Sequence, residues 1–106
     1  MEAGRLRHRV TIEEKVESRD AYGGERETWV EYAEVWAEKS PLVGREYLEA
    51  RQMMAEVTTK IRIRYLAGVR ADMRVVDGSQ TYEIISPPID VEGRQREIVL
   101  MCREHV

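Results

Sequence analysis

Strict alternation between residues 57 and 65 is the feature that most limits how this chain can fold. The odd positions are apolar, aromatic or β-branched, and the even positions are mostly basic: Val57, Thr58, Thr59, Lys60, Ile61, Arg62, Ile63, Arg64 and Tyr65. Because successive side chains of a β-strand point to opposite faces, this period of two predicts a strand with one buried face. At about 3.3 Å per residue the strand is about 30 Å long, which is longer than a typical strand of five or six residues.

Five further segments have β character. Alternation and β-branched or aromatic content predict strands over 6–13, 28–39 and 94–103, and glycines predict a turn at 20–24. Asp77-Gly78 between β-formers predicts a type I′ hairpin over 75–82, whose second strand ends before Pro87-Pro88. We therefore predict a mainly β fold, a small antiparallel β-barrel of about six strands with 89–93 as a loop, as one domain over residues 1–106.

Residues 41–55 interrupt this pattern after the second strand. Val43, Tyr47, Ala50 and Met54 follow a helical spacing of four, three and four, which predicts a short helix over 44–55 or a mobile segment that becomes helical against a partner. Long excursions in compact domains are usually functional or disordered. We predict that it contacts a channel or a partner, with packing across the barrel mouth as the alternative; the candidate residues are Leu42, Arg45, Glu46, Tyr47, Met53 and Met54.

Composition narrows the classes of function. The 17 basic residues are balanced by 20 acidic ones, for a net charge of −3, which is atypical of a strongly basic polyanion-binding protein. No stretch approaches the roughly 20 apolar residues that span a bilayer, and residues 1–10 lack the apolar core of a signal peptide. The single cysteine, Cys102, excludes an internal disulfide. We expect an intracellular protein with no membrane partner.

The sequence offers little for catalysis. It contains no GxGxxG, P-loop, HExxH, CxxC or GxSxG motif. His8 lies on the apolar face of the first predicted strand, and we interpret it as a half-buried structural histidine rather than a general base. Cys102 is interpreted as a small apolar residue buried in the core. We therefore expect no enzyme activity, no cofactor and no metal site.

Two groups of side chains are candidates for surface contacts. Lys60, Arg62 and Arg64 form a basic row with about 7 Å between neighbours, a spacing that suits phosphates, although cross-strand ion pairs explain it more simply. Trp29 and Trp36 are seven residues apart, so on one regular strand they face opposite sides. One can fill the core, and the other must then be covered by the helix, a loop or another molecule; the alternative is that residues 42–54 cover both. Trp36 is our candidate interface anchor.

Ordered blocks of residues run along the whole chain. The blocks are Arg7-His8-Arg9-Val10-Thr11-Ile12, Asp20-Ala21-Tyr22-Gly23-Gly24 with Trp29, Val35-Trp36-Ala37, Pro41-Leu42 with Gly44-Arg45-Glu46, Ile63-Arg64-Tyr65 with Gly68, Met73-Arg74-Val75, and Leu100-Met101-Cys102-Arg103-Glu104. Together these blocks resemble the phage head–tail joining family, the head-closure or stopper proteins of long-tailed bacteriophages and prophages.

This resemblance implies a structural virion protein at the head–tail interface, assembled in the host cytoplasm. Family members are small β-barrels that form a homo-oligomeric ring, with twelve subunits favoured over six. The ring lies between the portal and its adaptor above and the tail-terminator or tail-completion protein below, and double-stranded DNA passes through it. The family's long loop, which corresponds to 41–55 here, projects toward the channel and gates DNA exit. The alternative, argued from the residues, is a small nucleic-acid-binding barrel that uses Lys60, Arg62 and Arg64.

Overall fold

The computed structural model describes residues 7–53 and 56–105, which form seven strands, one α-helix and one 3-10 turn at Val91–Gly93. The bounds are β1 His8–Arg19, β2 Glu25–Pro41, α1 Gly44–Met53, β3 Thr59–Arg64, β4 Arg74–Asp77, β5 Gln80–Ile84, β6 Ile89–Asp90 and β7 Glu97–His105.

Six of these strands close into an antiparallel barrel. The order is β3-β2-β1-β4-β5-β7, and β7 pairs back with β3 from Glu97 to Cys102, which closes the ring of hydrogen bonds. β7 pairs with β5 through its last four residues and with the short β6 through Ile98 and Val99. The predicted barrel of about six strands, with one short helix after the second, is confirmed. β6 is a seventh strand inside the segment predicted as a loop over 89–93.

Two strands are shorter or later than predicted. β3 covers only Thr59–Arg64 of the predicted 57–65, since Val57 precedes the paired region and Tyr65 follows it. The last strand begins at Glu97 rather than at residue 94, because Gln95 has a positive φ of 54°, a left-handed conformation that interrupts an extended strand.

β7 separates two groups of buried side chains. Its residues Ile98, Leu100 and Cys102 point into the barrel, where they join the main core with Ile61, Ile63 and others. The intervening residues Val99 and Met101 point outward and lie in a second cluster with Leu42 and Val57. β7 is therefore buried on both faces from Ile98 to Met101. Its inner face packs in the barrel core, and its outer face packs in the second cluster.

A β-bulge in β2 corrects the prediction for the two tryptophans. Ile12 is opposite Ala33, but Glu13 is opposite Glu31, so Tyr32 is an extra residue in β2. The extra residue shifts the alternation of side chains in β2 by one position. Trp29 and Trp36 therefore lie on the same outer side of the sheet. Their ring contacts agree: Arg9 stacks on Trp36 at 5.3 Å, and Lys15 stacks on Trp29 at 5.5 Å, and both cations come from odd positions of β1.

The turn between β4 and β5 also differs from the predicted type. Asp77 pairs with Gln80, so the two central residues are Gly78 and Ser79 rather than Asp77 and Gly78. Only Gly78 has a positive φ, of 60°, which is the pattern of a type II′ turn. The predicted hairpin is present, with its turn displaced by one residue.

The C-terminal half of β1 and the N-terminal half of β2 extend beyond the barrel as a two-stranded arm. β1 pairs with β4 only as far as Glu13, and β2 pairs with β3 only from Ala37. Residues 14–30 therefore pair only with one another, and we call this segment the hairpin arm. It accounts for the elongated outline of 50 × 30 × 27 Å. Its base is fixed by Arg74, which stacks on Trp29 at 4.2 Å and forms an ion pair with Glu13 at 2.6 Å.

Candidate assembly surfaces

Helix α1 covers the outer face of β7. The chain leaves β2 at Pro41, buries Leu42 in the outer cluster, and turns at Gly44, whose φ is 59°. Tyr47 and Ala50, three residues apart, pack against the same cluster and so give the helix one anchored side. An ion pair of 2.7 Å between Glu46 and Lys60 of β3 holds the first turn.

The predicted contact residues of 41–55 fall into distinct environments. Leu42 is buried in the outer cluster, and Tyr47 is half-buried beneath the helix, whereas Arg45 and Glu46 are exposed. Met54 and the side chain of Met53 lie outside the described residues. Val43 was expected in the buried helical stripe, but it precedes the helix and is 68% exposed, so that part of the stripe is wrong. Leu48, which the spacing did not select, is 64% exposed.

The basic row on β3 lies beside this helix and is largely paired with acids. Lys60 contacts Glu46, and Arg62 lies 3.8 Å from Glu97 of β7. Arg64, the last residue of the strand, is exposed. Two of the three cations thus neutralise carboxylates of the same molecule, which favours the ion-pair interpretation over a phosphate-binding surface. Their role in binding stays a prediction.

Trp36 lies on the outer face of β2 and is half exposed. One side of its ring is covered by the Arg9 guanidinium, which also donates a hydrogen bond of 2.7 Å to Glu34. Trp36 does not belong to the barrel core, and neither α1 nor the outer cluster covers it. A large, partly exposed aromatic side chain stacked by arginine has the composition of an interface anchor.

A polar network connects four strands, β1, β2, β4 and β5, at the end of the barrel opposite the arm. Lys39 donates hydrogen bonds of 2.8 Å to Asp77 and to Gln80, and His8 lies 3.2 Å from Asp77. The hydrogen bond from Lys39 lowers the pKa of Asp77 below its ordinary value of 3.8, against the opposing effect of burial. Burial acts to lower the pKa of Lys39, but its contacts with Asp77 and Tyr82 outweigh burial and raise it. His8 thus lies beside the Asp77 carboxylate, and its interpretation as a structural histidine stays a prediction.

The lowered pKa of Asp77 predicts a specific loss of stability in acid. A group whose pKa is lower in the folded state stabilises the fold above its unfolded pKa, and this contribution disappears as the pH falls through the folded value. We expect Asp77→Asn to be less stable than the parent at pH 6 and to lose less stability on acidification below about pH 4. Urea midpoints at pH 6 and pH 3 measure this, with the exposed Glu25→Gln as control. Equal acid sensitivity of Asp77→Asn and the parent would contradict it.

Cys102 is fully enclosed in the barrel core. Burial raises the pKa of its thiol to about 12, which keeps the sulfur protonated and unreactive. This matches the prediction of a small buried hydrophobe. No helix in the described part of the chain is long and apolar enough to cross a bilayer.

The whole chain matches one family of known proteins. The model of the phage head completion protein family matches residues 1–105. This chain belongs to the phage head completion protein family. A head completion protein, gp7 of Enterobacteria phage HK97, is 34% identical over 105 residues, which cover 93% of this chain and 94% of gp7.

Two solved structures share the fold of this head completion protein. Protein SF1141 from Shigella flexneri 2a, solved in solution, has a TM-score of 0.81 and 31% identity, over 100% of this chain and 98% of SF1141. A chain in the virion of a native gene transfer agent particle has a TM-score of 0.63 and 25% identity, over 96% of each chain.

Membership confirms the family resemblance found in the sequence and sets the general role. Head completion proteins are structural proteins of the phage particle and not enzymes, so this chain is a virion protein that interacts with other head and tail proteins. Its functional residues are therefore to be sought on assembly surfaces. The structure adds two exposed features that the sequence analysis did not select, Leu48 on α1 and the hairpin arm.

Proposed function

We propose that this head completion protein is the subunit of a closed homo-oligomeric ring that joins the filled head to the tail. In this position the ring contacts the portal and its adaptor above and the tail-terminator or tail-completion protein below. The observation that carries the proposal is the end-to-end match to the family, together with 34% identity to the head completion protein of phage HK97. We propose twelve subunits rather than six.

The barrel has the physical properties that a ring subunit needs. Because the sheet is closed, it leaves few unpaired strand edges on which another chain could add a strand. Contacts between subunits therefore depend on side-chain surfaces and on the arm. A head-to-tail contact between two different surfaces of one subunit generates a ring when the rotation closes. The net charge of −3 suits a conduit that DNA must cross without adhering.

Within this ring, we assign contact with the channel or a partner to residues 41–55, which gate DNA exit. The described part of this segment, residues 41–53, is held to the barrel by Leu42, Tyr47 and Ala50 in the outer cluster and by the ion pair from Glu46. Its other side presents the exposed Arg45 and Leu48 to the surroundings. A short helix held by one small cluster can detach at modest cost, which suits a segment that moves when DNA leaves.

Removal of the gene from the phage tests this role. We expect filled heads without tails to accumulate, because the platform for the tail is missing, and a copy supplied in trans to restore tailed particles. Electron microscopy of the purified particles measures both. Tailed, infectious particles made without this chain would contradict the proposal, and rotational averaging of the wild-type junction distinguishes twelve subunits from six.

A further inference from the structure

The hairpin arm has an open strand edge along β2. β3 pairs with β2 only from Ala37 onward, so the edge of β2 that faces away from β1 has no neighbouring strand over residues 25–30. Within the ranges 7–53 and 56–105, no hydrogen bond joins the backbone of residues 25–30 to a segment outside the arm. An unpaired edge presents a row of amide donors and carbonyl acceptors on which another strand can form. This edge is therefore a candidate docking site for an extended chain.

The hydrogen bonds at the turn of the arm show which residues face this edge. The Asp20 amide donates a hydrogen bond of 2.8 Å to the Gly24 carbonyl. In an antiparallel pair, residues that exchange hydrogen bonds alternate with residues that do not. The alternation continues along β2 from this bond, so Arg26 and Thr28 bond to β1, and the residues beside them point their backbone groups away from it. The residues with open backbone groups are Glu25, Glu27 and Trp29.

The side chains of the same stretch make the edge acidic. Glu25 and Glu27 lie on the outer face of the arm, and Glu31 follows on that face. Glu27 has Lys15 at 3.6 Å, whereas neither Glu25 nor Glu31 has an ion-pair partner among the described residues. The register also places Glu27 opposite Glu17, and like charges at opposite positions destabilise a hairpin. A basic strand beside β2 relieves this repulsion.

The other face of the arm favours apolar side chains in an added strand. Val16 and Val30 lie on the face that continues the barrel interior, and they are 41% and 37% exposed. A strand added beside β2 has every second side chain on this face and the others on the acidic face. A segment that alternates basic and apolar residues therefore complements both faces. A second copy of the same edge would instead place glutamates against glutamates, which opposes pairing between two copies through it.

We propose that the β2 edge of the hairpin arm binds an extended segment of another protein of the particle, in which basic residues alternate with apolar ones. The segment forms an additional strand beside residues 25–30, with its basic side chains near Glu25, Glu27 and Glu31. Its apolar side chains lie near Val30. The backbone hydrogen bonds supply affinity, and the side chains supply specificity. This inference rests on the proposed function, and it names one contact through which the ring joins a neighbouring head or tail component.

A peptide that alternates lysine and valine, with lysine at both ends, probes the edge of the full-length protein. In the free protein we expect fast amide exchange at Glu25, Glu27 and Trp29, and slower exchange at Arg26 and Thr28, which bond to β1. Saturating peptide should slow exchange at the first three amides by about tenfold or more, because they then donate to the peptide. Hydrogen exchange followed by NMR measures this. Unchanged exchange at these three amides would overturn the proposal.

Two N-methylated forms of the peptide separate strand pairing from charge attraction. A lysine directly opposite Glu27 has its side chain on the acidic face and its amide toward β2, so methylation of the lysine amides blocks pairing. Methylation of the valine amides, which point away from β2, leaves pairing intact. We expect no slowing with the first form and nearly full slowing with the second. Equal effects of the two forms would mean that charge alone holds the peptide, and strand addition would be wrong.

In the phage, Glu27→Pro tests whether the edge is used. Proline removes an amide that faces the open edge and is tolerated at such positions, so β1 and β2 stay paired while strand addition is blocked. We expect about tenfold fewer tailed particles and a urea midpoint near that of the parent. Glu27→Val, which removes the same charge but keeps the amide, should lose less. Equal losses from the two variants would show that the charge rather than the backbone is required, which contradicts the proposal.

These results separate the inference from the proposed function. A full yield of tailed particles from Glu27→Pro, in a phage whose tails require the gene, overturns the strand contact only. Tailed, infectious particles made without the gene overturn the proposed function. If Glu27→Pro lowers the urea midpoint, the peptide experiment decides the inference, because it uses the unaltered chain.

Discussion

Leu100→Ala should lower the free energy of unfolding by about 3–5 kcal/mol. Leu100 is fully buried at the centre of β7 among side chains of the barrel core, so its truncation leaves a cavity in a closely packed interior. A domain of this size is stable by only about 5–15 kcal/mol, so the loss is a large part of the total. Urea unfolding followed by tryptophan fluorescence measures it.

Met101→Ala is the matched comparison, since Met101 is the next residue of the same strand and points outward into the cluster beneath α1. We expect a smaller loss of stability, because the helix above can settle onto the shorter side chain. We also expect faster amide exchange in α1, while exchange in β3 changes little. A loss equal to that of Leu100→Ala, with no local effect on α1, would show that the two clusters are one cooperative core.

The barrel itself was predictable from the sequence because its signal is local. Ile61 and Ile63 alternate with Lys60 and Arg62, and a strand with that pattern has only one way to bury its apolar face. The pairing of β3 with β7, which closes the barrel, was not predicted, because alternation identifies a strand but not its partner, and residues 98–102 of β7 are apolar at consecutive positions. Strand ends were less predictable, because Gln95 gives no sign in the sequence of its positive φ.

The positions of the tryptophans could not be read from spacing. An interval of seven residues places two side chains on opposite faces only if the strand is regular, and the bulge at Tyr32 breaks that rule. No residue type marks the bulge, because Tyr32 has ordinary strand character and its extra place in β2 is fixed by a contact 35 residues away, where its hydroxyl donates to the Ala67 carbonyl at 2.6 Å.

The candidate assembly surfaces were predicted in part. The excursion after β2 was identified because its helical period interrupts a β pattern, and Tyr47 and Ala50 pack as that period predicts. The arm was missed because residues 14–19 were not recognised as the continuation of the first strand. Glu14, Lys15, Val16 and Glu17 are mostly polar on both faces, as a hairpin outside the barrel must be, and alternation is weakest where neither face is buried.

Gly68→Ala should destabilise the protein more than any other glycine replacement in the described barrel. Gly68 has a φ of 88°, a conformation that costs an L-residue about 1–2 kcal/mol. A Cβ at this position would also overlap the hydroxyl of Tyr32, whose hydrogen bond to Ala67 fastens the loop before β4 to the bulge in β2. We expect a total loss of about 2–4 kcal/mol, the strain of the backbone plus the loss of this fastening.

Gly93→Ala isolates the backbone component, because Gly93 has a similar φ of 65° and open space where its Cβ would be. We expect it to lose only about 1–2 kcal/mol. Tyr32→Phe removes the hydroxyl, so adding Gly68→Ala to that background should cost less than it does in the parent. If Gly68→Ala and Gly93→Ala are equally destabilising in urea, the close approach of Tyr32 does not limit this position. If they differ as expected, the glycine is required because it lets Tyr32 hold the base of the arm against the barrel.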